Sequence, residues 1–122
     1  MTSDSELITD GPAGLVHRLA RPKGASSGPH PTVLLLHGFS GDENSMWIFA
    51  RTVPPGWLVV APRAPLALDA GGYIWAHNRA GAAIASYGDT PAQVAAFARA
   101  LPGLYGADPA RCYAMGFSQG AA

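Results

Sequence analysis

Thr32-Val33-Leu34-Leu35-Leu36 runs through five positions with no apolar/polar alternation. A strand of that kind has to be covered on both faces, which is the condition of an interior strand in a mainly parallel sheet. It stops at His37-Gly38. Trp57-Leu58-Val59-Val60-Ala61 repeats the pattern and halts at Pro62. Between the two, Asp42 stands where it caps a helix in which Met46, Phe49, Ala50 and Val53 recur three and four residues apart, before Pro54-Pro55 ends it. Two buried strands joined by a helix are a crossover unit, and such crossovers are almost always right-handed.

The rest of the chain extends that alternation. Thr90-Pro91-Ala92-Gln93 reads as a capping box with proline at the first helical position. Val94, Phe97, Ala98 and Leu101 then share one face, and Pro102-Gly103 with Gly106 are expected to end the helix. Asp108-Pro109 turns the chain into a further strand, Cys112-Tyr113-Ala114-Met115. Leu15 to Leu19 is a short strand candidate between a polar segment, residues 1–12, and the Pro/Gly/Ser-rich segment 22–31. The organisation expected is a polar amino-terminal tail over 1–12 and an α/β domain portion over 13–122, a mainly parallel sheet with flanking helices.

Composition narrows the function classes. At 122 residues the chain holds one domain, and eight basic residues against eight acidic ones leave no electrostatic footprint for nucleic acid or an anionic bilayer. Its one cysteine, Cys112, excludes an internal disulfide and a cysteine-based zinc site, and reads as a packing thiol buried in its strand. A reducing, cytoplasmic setting is expected, with neither a secretory signal at the amino terminus nor an apolar run of about 18 residues that would span a membrane.

Gly116-Phe117-Ser118-Gln119-Gly120 follows the last strand directly. A G-x-S-x-G pentapeptide in that context is a sharp strand-to-helix turn that lifts a serine hydroxyl above the sheet edge. The glycines are mechanical: Cβ atoms two positions either side of the serine would collide with the adjoining elements. Ser118 is therefore the candidate nucleophile, at the amino end of a helix whose dipole and open N–H groups favour developing negative charge. The second motif, His37-Gly38-Phe39-Ser40-Gly41-Asp42, lies at the carboxyl end of the first buried strand, where ligands gather in open α/β sheets. A His-Gly turn there directs the Phe39 amide into the crevice, and with the Gln119 amide it makes a two-donor oxyanion hole. The long segment 63–89 carries Tyr73, Ile74, Trp75 and Tyr87, more apolar bulk than a linker needs, and Tyr73 and Trp75 are candidates for the substrate pocket.

LLLHGFSGDE and YAMGFSQGAA, with PRAP at 62–65 and GGYIW at 71–75 between them, resemble the phospholipase/carboxylesterase branch of the α/β-hydrolase superfamily, which includes small esterases and acyl-protein thioesterases. The resemblance covers residues 13–122. It implies Ser118 as nucleophile, Phe39 and Gln119 as oxyanion donors, a carboxylic ester or thioester as substrate, and no metal or organic cofactor. In that superfamily the triad runs Ser, then Asp or Glu, then His. Only Gln119-Gly120-Ala121-Ala122 follow Ser118, so the chain reads as a partial α/β-hydrolase fold truncated after the nucleophile elbow, inactive as an isolated chain. His37 reads as structural or pocket-shaping, His77 as a loop residue, His17 as a strand-edge residue and His30 as a linker residue. Asp42 and Glu43 read as favourable charges in a helix's first turn rather than as metal ligands. The last strand, lacking its neighbour, is expected to be an exposed apolar edge that invites self-association. The alternative is a non-catalytic protein that binds a ligand or partner through the same crevice. Esterase, thioesterase and peptidase share these motifs and are separated by pocket residues and a substrate panel.

Overall fold

The computed structural model describes residues 5–9, 11, 13–22, 28–75 and 90–117. Their elements are β1 (Ser5–Ile8), β2 (His17–Ala20), β3 (His30–Leu36), a 3₁₀ helix (Trp47–Thr52), β4 (Leu58–Pro62), β5 (Leu66–Ala67), β6 (Tyr73–Ile74), α1 (Thr90–Tyr105) and β7 (Ala107–Gly116). Five strands form one sheet in the order β1-β2-β4-β3-β7. β3 is parallel to both β4 and β7, while β2 is antiparallel to β4 and β1. Four of the five strands therefore point the same way, and the sheet is mainly parallel as expected.

The two unalternating runs are covered on both faces. β3 and β4 pair in register, Val33 with Val59 and Leu34 with Val60. Successive side chains leave a strand on opposite faces, so Leu34, Leu58 and Val60 pack with Leu19, Phe97 and Leu101 on the α1 side. Val33, Leu35, Val59 and Ala61 meet Met46, Trp47, Ala50 and Val53 on the other. Phe97 and Leu101, expected on the buried face of α1, are fully buried. Among the described residues no helix is long and apolar enough to cross a membrane.

Several expectations are corrected. The helix expected after Asp42 is a 3₁₀ segment, closed by bonds from Phe49 N–H to the Met46 carbonyl (3.0 Å) and from Val53 N–H to the Ala50 carbonyl (3.1 Å). With three residues per turn, Trp47, Ala50 and Val53 line up and pack on the sheet, whereas Phe49 is turned out to 42% exposure. Ser5–Ile8, within the segment expected to be a tail, pair with β2 as an edge strand. α1 continues through Pro102 to Tyr105 and stops at Gly106, whose φ of 76° is the left-handed geometry that ends helices. At the start of α1, the Thr90 hydroxyl also donates to the Trp75 carbonyl at 2.6 Å, a bond not expected from the sequence.

His17 is buried rather than at a strand edge. Its Nδ1–H donates to the Leu15 carbonyl and its Nε2 accepts from the Tyr105 hydroxyl, both at 2.7 Å, and burial holds its pKa below the ordinary value. His30 opens β3, its N–H bonded to the Gly106 carbonyl at 2.8 Å. Cys112 is exposed on β7, not buried. β7 closes the sheet as an edge, with Tyr113, Met115 and Phe117 exposed by 54%, 40% and 66%. Residues 76–89, which hold His77 and Tyr87, and 118–122 lie outside the described residues.

Phe97→Ala should lower stability by about 3–5 kcal/mol, the cost of a large cavity. Phe49→Ala should change it by less than about 0.5 kcal/mol, as at an exposed site. Urea midpoints at constant m-value measure both, and comparable losses at the two positions would restore the α-helical face in place of the 3₁₀ one.

Candidate active site

Leu36, the last residue of β3, pairs with Gly116, the last of β7, and the Phe117 N–H continues the ladder to the Leu36 carbonyl at 3.2 Å. Adjacent strands lie about 4.8 Å apart. The HGF turn and Gly116-Phe117, the described start of GFSQG, thus lie side by side at the carboxyl edge of the sheet. β4 ends at the same edge, and Arg63-Ala64 leave it beside them.

His37 is buried at this junction. Its Nε2 lies 3.0 Å from the Ala64 backbone nitrogen. An amide N–H only donates, so Nε2 is the acceptor and the proton resides on Nδ1, which donates to the Gly38 carbonyl at 2.7 Å. The acceptor role of Nε2 is that of a neutral imidazole, and in the same direction burial pushes the His37 pKa below the ordinary value, outweighing the opposing influence of the Gly38 carbonyl, Asp42 and Glu43. Trp75, buried against it with ring centroids 5.1 Å apart, donates its indole N–H to the His37 carbonyl at 2.7 Å.

The loop after β3 is stitched to the β5–β6 ribbon. Tyr73 N–H donates to the Gly41 carbonyl at 2.8 Å, and Gly41 N–H to the Gly38 carbonyl at 3.1 Å. Ser40 has a φ of 62°, and Gly72, at φ 81°, passes so close that a Cβ there would lie 2.0 Å from the Ser40 carbonyl oxygen. A side chain at 72 would force the ribbon off the loop.

Glu43 does not act as a first-turn charge. Its carboxylate takes a two-point bond from Arg63, Nε at 2.7 Å and a terminal nitrogen at 2.9 Å, which joins this loop to the end of β4. Hydrogen bonding to Arg63 holds the Glu43 carboxyl below the usual carboxylate range. The guanidinium lies 4.5 Å from the Tyr73 ring centroid. Residue-type patterns along the chain did not reveal this pair. The available signal was an acid in GDE and a base in PRAP, each just beyond a buried strand that shares the same edge.

Of the expected site residues, Phe39, Tyr73 and Trp75 fall within the described part and gather at this edge. Phe39 is 52% exposed, and its amide has no hydrogen-bond acceptor among the described residues. Tyr73 is half-buried beneath Arg63, and Trp75 is buried behind the loop. Ser118 and Gln119 lie outside the described residues. Among the described residues no group of three or more His, Cys, Asp or Glu side chains is assembled that would hold a metal ion.

No family model matches the chain, and no curated protein sequence does. Solved structures do. A carboxylesterase from Mesorhizobium loti superposes with a TM-score of 0.75 at 25% identity, covering 97% of this chain and 55% of its own. The esterase PE8 gives 0.68 at 27% identity, over 84% of this chain and 52% of its own. An acetyl xylan esterase from Aspergillus awamori, at 0.60 and 20% identity over 96% of this chain and 43% of its own, shares the fold. The chain spans about half the length of the solved esterases it resembles. Its fold is a partial α/β-hydrolase fold of the carboxylesterase-like kind.

Glu43→Gln should cost about 1.5–3 kcal/mol at neutral pH, the worth of a hydrogen bond to a charged group. A depressed carboxyl pKa stabilises the fold above the unfolded value of about 4.3 and loses that contribution as pH falls through the folded value. Urea denaturation across pH should therefore show wild type and variant converging in acid. A constant gap would mean the carboxylate charge is not what Arg63 holds.

Proposed function

We propose that this chain carries the nucleophile-bearing part of a serine hydrolase for carboxylic esters, of the phospholipase/carboxylesterase kind, acting in the cytoplasm. The observation that carries the reading is the pairing of Leu36 with Gly116, which starts the two motif segments one strand apart at one sheet edge. The Phe39 amide, which has no acceptor among the described residues, and the solved esterases of the same fold support it.

In this reading the Ser118 oxygen attacks the acyl carbon and forms the new C–O bond while its proton passes to a histidine base. The carbonyl oxygen, now an oxyanion, takes hydrogen bonds from the Phe39 and Gln119 amides. Collapse expels the alkoxide or thiolate, which regains the proton from the histidine. Water then attacks the acyl-enzyme by the same route, releases the carboxylic acid and restores Ser118. This reading assigns the histidine and its carboxylate partner to the part of the fold that the solved esterases have and that this chain, spanning about half their length, does not cover. Tyr73 and, behind the loop, Trp75 are the substrate-pocket candidates of this reading. No cofactor enters these steps. Self-association through the β7 edge, exposed from Arg111 to Phe117, belongs to the same reading.

A fluorophosphonate probe should label the full-length protein at Ser118, and Ser118→Ala should abolish both labelling and ester turnover, a loss on the order of 10⁶ in kcat. A matched panel of esters and thioesters separates the two substrate classes. A folded full-length protein that takes no label would defeat the hydrolase reading and leave a binding protein.

A further inference from the structure

We infer that His37 is a positioning residue whose imidazole sets the direction of the Phe39 amide; the inference rests on the reaction proposed above. The argument is one of peptide planes. Across a trans peptide bond the C=O and N–H point in opposite directions within a rigid plane. The Gly38 carbonyl and the Phe39 N–H belong to one such plane. His37 Nδ1–H (2.7 Å) and Gly41 N–H (3.1 Å) both donate to the Gly38 carbonyl, so the oxygen is drawn toward the loop's interior and the Phe39 N–H is turned away from it. That N–H finds no acceptor among the described residues. The preceding plane is fixed in the same way, by the Trp75 indole on the His37 carbonyl at 2.7 Å.

The imidazole does this only in one tautomer. Ala64 N–H, donating to Nε2 at 3.0 Å, keeps the proton on Nδ1 and so keeps Nδ1 a donor to Gly38. A chain beginning in β4 thus reaches the Phe39 amide through a single ring: Ala64 orients the tautomer, the tautomer orients the Gly38 carbonyl, and the carbonyl orients the donor. Oxyanion donors act only where negative charge develops, so a misdirected donor lowers kcat and leaves KM unchanged.

Two amide substitutions divide the ring. His37→Asn keeps an N–H near the place of Nδ1, within reach of the Gly38 carbonyl; His37→Gln keeps a polar group near Nε2 for Ala64 and loses the Gly38 bond. With turnover in the full-length protein normalised to fluorophosphonate-labelled Ser118, H37Q should lose about 10²-fold in kcat at unchanged KM, the scale of a misplaced catalytic group. H37N should stay within about tenfold of wild type. Equal kcat per labelled site in all three proteins would overturn the inference while leaving the hydrolase reading intact. A wild type that takes no label would overturn both. Should the variants not fold, the imidazole ¹⁵N shifts of wild type decide: a protonated Nδ1 with an acceptor Nε2 is expected at neutral pH, and an Nε2–H tautomer or an imidazolium would overturn the assignment.

Discussion

One buried ring holds the carboxyl edge of this sheet together. His37 accepts the Ala64 N–H on one nitrogen and donates the N–H of the other to the Gly38 carbonyl, while Trp75 packs on its face and donates to its backbone carbonyl. Each of these groups is a polar atom removed from water, and a buried polar group left unpaired costs about 1–3 kcal/mol. The network is satisfied only when the loops after β3 and β4 and the end of the β5–β6 ribbon are all in place. Cooperation among three segments distant in sequence follows from that directional requirement, added to the non-directional apolar packing of Leu36, Ala64, Tyr73 and Trp75.

The Arg63–Glu43 pair acts on the same junction from its outer side. Glu43 anchors the far end of the loop that His37 anchors at its start, and Arg63 lies next to Ala64, the residue that fixes the His37 tautomer. The loop carrying Phe39 is therefore held at both ends by two consecutive residues just after β4, Arg63 and Ala64. A short segment with proline on each side, Pro62-Arg63-Ala64-Pro65, suits that duty because its backbone has few alternative conformations to lose.

How much of this was legible in the sequence depended on the range of the interaction. The absence of alternation in β3 and β4 foretold their coverage on both faces, because two-sided burial is written into consecutive residues of each strand. Phe97 and Leu101 were legible for the same reason. The segment after Asp42 was misread because residues 50 and 53, three apart, lie close together on either helix type over so short a span. The inward packing of Trp47 and the outward turn of Phe49 distinguish three residues per turn from 3.6. β1 was missed because four residues, one of them charged, carry too little pattern to stand out from a polar tail. At the site, the HGF turn was legible as a motif, whereas the role of Trp75 as an anchor of its backbone was not. That bond joins residues 38 positions apart, and a buried indole looks the same in sequence whether it lines a pocket or holds a loop.

The relative level of the two motifs is set by an irregularity in β7. At its start Ala107 pairs with His30, and a regular parallel ladder from there would bring Tyr113 opposite Leu36, leaving Gly116 three residues beyond the sheet edge, about 10 Å out at 3.3 Å per residue. The register instead shifts so that Cys112 pairs with Thr32, two steps on β3 answering five on β7. Asp108 makes the shift: its carboxylate takes the Ala110 N–H at 2.9 Å and the Arg111 guanidinium at 2.7 Å, folding the extra residues into a local turn. Because side chains alternate with period two, an odd shift also exchanges the faces on which β7 presents them. The turn at Asp108-Pro109, far from the carboxyl edge, thus determines both the height and the face at which the chain enters GFSQG. Bulges commonly re-aim a strand in this way, and among the described residues the strand re-aimed pairs with β3, which carries the alignment between the two motifs.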